Sequence, residues 1–63
     1  MKYNTEAMEV INAFKSYYSD VVDMLLKNKL DDKGKFIMNE LYKDIKDNYG
    51  YDSDVVDMMI KEG

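Results

Sequence analysis

From Tyr3 onward, Tyr3, Ala7, Val10, Phe14, Tyr17, Val21 and Met24 follow one another at alternating steps of four and three. That rhythm is the period of a helix, not the two-residue alternation of a strand. A second row, Met8, Ile11, Tyr18, Val22 and Leu25, runs beside the first and widens the apolar face. Asn4 or Thr5 offers an N-cap, Glu6 and Glu9 fall in the first turns, and Lys27 and Lys29 suit the C-terminal end. The spacing predicts one continuous helix over residues 5–29.

The stretch KLDDKGKF ends that pattern. Asp31 or Asp32 caps a second helix, predicted over 32–48 on the apolar positions Ile37, Met38, Leu41, Tyr42, Ile45 and Tyr49. Gly50 is placed for a left-handed C-terminal cap. Asp52 or Ser53 starts a third helix over 53–61, through Val55, Val56, Met59 and Ile60, with Asp54 and Lys61 on the favourable sides of its dipole. Proline is absent, so little interrupts these segments. The expected fold is all-α: one domain, 1–63, a small bundle in which a long N-terminal helix carries a shorter two-helix hairpin folded back on it.

The segment SDVVDM occurs at Ser19–Met24 and again at Ser53–Met58, 34 positions later. Tyr17 matches Tyr51, Lys27 matches Lys61, Ile11 matches Ile45 and Glu6 matches Glu40. The correspondence spans 5–27 and 39–61 and reads as a small duplication. The period equals that of tetratricopeptide repeats, but their tryptophan, Leu-Gly and proline landmarks are missing. A literal repeat would break the first helix near Ser16–Ser19, where the second copy has Gly50-Tyr51-Asp52. Serine does not force such a break, and the seam runs through Tyr17, so the continuous helix is the expectation.

Such a helix would be about 37 Å long. The short third helix cannot cover its whole length. Apolar surface around Met8, Ile11, Tyr18 and Leu25 is therefore expected to self-associate, giving a homodimer.

Composition narrows the chemistry. A chain of 63 residues buries only about 60% of its unfolded surface. There is no cysteine and no histidine, which removes disulfides, thiolate metal sites and the commonest general base. The net charge is −4, and all basic residues are lysines, so direct nucleic-acid binding is not expected. No apolar run approaches a membrane span or a secretory leader, and the expected location is cytoplasmic.

Asp20 and Asp23 lie three apart, as do Asp54 and Asp57, and Lys27 and Lys61 stand four residues beyond Asp23 and Asp57. That is ordinary helix pairing, worth about 0.3–0.5 kcal/mol per pair. An EF-hand register with Gly34 at the sixth loop position puts Lys29 and Lys33 where calcium needs carboxylates, so the segment reads as a turn. Glu40, Asp44 and Asp47 form an acidic row interleaved with Lys43 and Lys46. No catalytic, cofactor-binding or metal-ligating set emerges, and an enzyme is not expected.

Tyrosines cluster at corresponding places in the two copies. Tyrosine gives apolar area and a hydroxyl at low entropic cost. Tyr17, Tyr18, Asp20, Asp23, Tyr49, Tyr51, Asp54 and Asp57 are therefore the expected partner-binding residues. The expected function is a small acidic protein–protein interaction module that binds and inhibits another protein. By composition, such chains suit phage or mobile-element regulators. The alternatives are a self-associating scaffold and a DNA-mimicking inhibitor of a nucleic-acid-binding protein. None needs a cofactor.

Overall fold

The computed structural model describes residues 3–62, and they are all helical and connecting segments. Four helices follow in order: α1 Thr5–Tyr17, α2 Ser19–Leu26, α3 Asp32–Tyr49 and α4 Ser53–Glu62. The second and third expected helices appear as α3 and α4, each one residue longer at its C-terminal end.

The caps follow from the sequence. Asn4 caps α1, its side chain accepting from the Ala7 N–H at 3.2 Å. Asp31 caps α3, accepting from the Gly34 N–H at 2.7 Å. Both satisfy an N–H that the first helical turn leaves without a backbone partner. Gly50 closes α3 in the left-handed region at φ 76°, a conformation glycine adopts without a Cβ penalty. Asn28 also has a positive φ, 55°. The Lys29 N–H donates to the Met24 carbonyl at 2.8 Å and the Asn28 N–H to the Leu25 carbonyl at 3.1 Å. These are the paired bonds of a Schellman ending, with asparagine where glycine is commoner.

The continuous helix over 5–29 is corrected: it is two helices, α1 and α2, and the second ends at Leu26. Tyr18 leaves helical geometry at φ −115°, ψ 48°, and is at once the C-cap of α1 and the N-cap of α2. The bend occupies one residue. The Tyr18 N–H still donates to the Phe14 carbonyl at 2.8 Å, and its carbonyl accepts from the Val22 N–H at 3.0 Å. A straight helix of about 37 Å would overrun the longest dimension of the fold, 29 Å. Bending lays Val21 and Val22 into the core. Burying a valine contributes about 1.5–3 kcal/mol, whereas a lost backbone hydrogen bond costs a net ~0.5–1.5 kcal/mol. Packing outweighs helix continuity here.

Helix α1 packs on α4 and α2 packs on α3, while consecutive helices meet at their junctions. Exchanging the two sequence copies exchanges α1 with α3 and α2 with α4, so the packing pairs map onto each other. The core holds Ala7, Ile11, Val21, Val22, Met38, Leu41, Ile45, Val56, Met59 and Ile60. Ile11 and Ile45, equivalent in the repeat, are both 0% exposed. The equivalence fails at the helix ends: Leu26 is 50% exposed and its counterpart Ile60 2%. Helix α2 stops at Leu26, whereas α4 runs on beyond Ile60.

Candidate functional site

The clearest concave feature is an open groove of about 610 Å³ between α1 and α3. Val10, Phe14 and Tyr17 of α1, with Tyr18 at the bend, line one side; Phe36, Ile37, Glu40 and Asp44 of α3 line the other, and the core residue Leu41 also lines it. Tyr17 is 80% exposed and Phe36 67%. The aromatics of α1 are held as a unit. The Tyr18 ring sits 5.0 Å from Phe14 and 4.7 Å, edge to face, from Tyr17. Such pairs contribute about 0.5–1.5 kcal/mol beyond area burial. The Tyr18 bend therefore both closes the core and aims Tyr17 outward.

The eight expected partner-binding residues do not form one surface. Tyr17 and Tyr18 lie in the groove. Asp20 is exposed beside a smaller hollow shared with Met24, Asp31 and Gly34. Asp23 is exposed and paired with Lys27 at 3.0 Å. Tyr49 is half-buried against the core. Tyr51 is a clasp: its hydroxyl oxygen accepts from the Asn4 N–H at 2.8 Å, and its ring meets Tyr3 edge-on at 6.1 Å. Asn4 begins α1 and Tyr17 ends it, so the equivalent tyrosines 17 and 51 work at opposite ends of a helix about 20 Å long. Asp54 is exposed, its carboxylate accepting from the Val55 N–H. Asp57 accepts the Tyr42 hydroxyl at 2.6 Å, so its partner is Tyr42 and not the expected Lys61.

The expected self-association patch is corrected too. Ile11 is 0% exposed, and Met8, Tyr18 and Leu25 are half-buried against the core. The bend lets neighbouring helices cover what a straight first helix would have left open. Among the described residues the exposed large apolar ones are instead Tyr17, Leu26, Phe36 and Met58.

Phe36 is the functional candidate that sequence spacing missed. It falls outside the seam of α3, which carries Ile37, Met38, Leu41 and Ile45. An aromatic off the buried face of an amphipathic helix is itself a signal. Glu40 and Asp44 were legible only as an acidic row; their place on the groove rim is a property of the fold.

Burial, and then the hydrogen bond and charge of Asp57, push the Tyr42 hydroxyl well above its ordinary range. Burial and the Glu62 hydrogen bond raise Tyr3, whose hydroxyl donates to Glu62 at 3.0 Å. Tyr42 is a neutral tether between α3 and α4, and Tyr3 ties the segment ahead of α1 to the end of α4. Among the described residues no group of three or more acidic side chains is placed to hold a metal ion, and no helix is long and apolar enough to cross a membrane. Compared with protein families, with curated proteins and with solved structures, the chain matches none of them.

Proposed function

We propose that this chain is a small acidic interaction module that binds another protein through the α1–α3 groove and inhibits it by covering part of its surface. One observation carries the reading: Tyr17 and Phe36, on opposite helices of the same apolar groove, are left largely in water. Large aromatics in such positions are typical anchors of protein interfaces. Self-association through the same groove is less well supported. It would bring the Glu40 and Asp44 pairs of two copies to one seam, in chains that each carry −4.

The test is an immobilised wild-type chain beside the double variant Tyr17→Ser/Phe36→Ser, with helix content checked by circular dichroism. The expected result is a protein held by the wild type and released by the variant. Equal retention by both, or none by either, would refute the reading. Light scattering run in parallel distinguishes the scaffold alternative: a dimer that the double variant abolishes would assign the groove to a second copy.

A further inference from the structure

Resting on the groove reading, we infer that the segment seated there is a basic amphipathic helix of the partner. The argument is charge and spacing. The groove's lining includes two charged side chains, Glu40 and Asp44, and no lysine. Among the described residues the ion pairs are Lys27 with Asp23 and Lys46 with Asp52, so neither rim carboxylate is neutralised by a lysine. Asp44 accepts a hydrogen bond from the Asn48 side chain at 2.8 Å, which orients the carboxylate without removing its charge.

Glu40 and Asp44 stand four apart on α3, which places them on one side of the helix about 6 Å apart. Lysines or arginines three or four apart on a docked helix have the matching interval. Phe36 to Asp44 covers about 12 Å of α3, roughly two turns of such a helix. Its apolar residues would lie between Tyr17 and Phe36 while its cations reach the rim, the helix-in-groove mode of recognition. An acidic segment would meet like charge at the rim. A second copy of this chain is a poor occupant for the same reason.

The experiment uses the intact chain and two synthetic helical peptides with an identical leucine–phenylalanine seam, one flanked by lysines and one by glutamates. Calorimetry at physiological salt measures affinity, and amide shifts locate binding. The lysine peptide is expected to bind at least about tenfold tighter than the glutamate peptide, shifting Tyr17 and Phe36. Glu40→Gln/Asp44→Asn should cost about tenfold. Asp47→Asn/Asp54→Asn, which removes equal charge outside the groove, should cost less than about twofold. Equal affinity for both peptides, or equal losses from both double variants, would overturn the inference. If neither peptide binds while Tyr17→Ser/Phe36→Ser still releases a captured protein, the basic-helix assignment falls and the docking groove stands. If that double variant leaves both peptide binding and capture untouched, both fall.

Discussion

The Tyr42 hydroxyl donates to Oδ1 of Asp57 at 2.6 Å and fastens α3 to α4. Asp57 occupies the same place in the second SDVVDM copy that Asp23 occupies in the first, where it pairs with Lys27. One repeated carboxylate therefore does two jobs: a solvent-exposed ion pair in α2 and a half-buried tether in α4. An exposed pair contributes at most about 1 kcal/mol, and a hydrogen bond to a charged acceptor about 1.5–3 kcal/mol. Tyr42→Phe is predicted to cost about 1–2 kcal/mol, and Lys27→Met less than about 0.5 kcal/mol, by urea denaturation. Equal costs would contradict the assignment.

The same tether sets an alkaline limit. The folded state raises the Tyr42 hydroxyl above its ordinary value of 10.0. The neutral form is thus favoured on folding. Its contribution is fully present below pH 10, the unfolded value, and fades as pH climbs from there through the folded value. The urea midpoint of the wild type should fall above about pH 10 more steeply than that of Tyr42→Phe. Parallel declines would show that Tyr42 is not the responsible group.

The two left-handed caps should respond in opposite directions. Asn28 bears a side chain at φ 55°, where glycine is free of strain. Asn28→Gly is expected to stabilise by a few tenths to about 1 kcal/mol. Gly50 has φ +76° and open space around it, so Gly50→Ala meets no clash yet should lose about 1 kcal/mol to backbone strain. A shift of several degrees in thermal midpoint per kcal/mol is readable at this size. A stabilised Gly50→Ala would contradict the cap geometry.

Gly34 is constrained by space instead. A Cβ there would stand 2.9 Å from Leu30 Cδ2, 3.1 Å from the capping Asp31 Oδ1 and 3.3 Å from Met24 Cε. Alanine gains about 1 kcal/mol in helix propensity, but overpacking costs about 1–3 kcal/mol. Gly34→Ala is predicted to destabilise by about 1 kcal/mol net, with the loss eased in the background Leu30→Ala. A straightforward gain in denaturation midpoint would show that the neighbours yield freely.

Repeat-equivalent positions provide the sharpest contrast. Ile60 is 2% exposed and Leu26 50%. Ile60→Ala should cost about 2–5 kcal/mol, a large part of the stability of a domain this small. Leu26→Ala should cost about 1 kcal/mol or less. Comparable losses would mean that α2 and α4 are buried alike.

The sequence by itself determined the helical class, helix starts at Asn4 or Thr5 and at Asp31 or Asp32, the left-handed turn at Gly50 and the inward phase of Ile45, Val22 and Val56. Each is written within about one turn of chain: a period, a side-chain oxygen three residues ahead of an N–H, or a missing Cβ. The break at Tyr18 was not legible locally. Nothing in Ser16-Tyr17-Tyr18 forbids helix, and the seam runs across it; only the gain from packing Val21 and Val22 on α3 and the core favours the bend. That long-range contact also hid Ile11, turned Tyr17 outward, set Phe36 opposite it and drew Asp57 to Tyr42. Spacing along a chain says which residues share a helix face, but which face is covered depends on where the other helices lie.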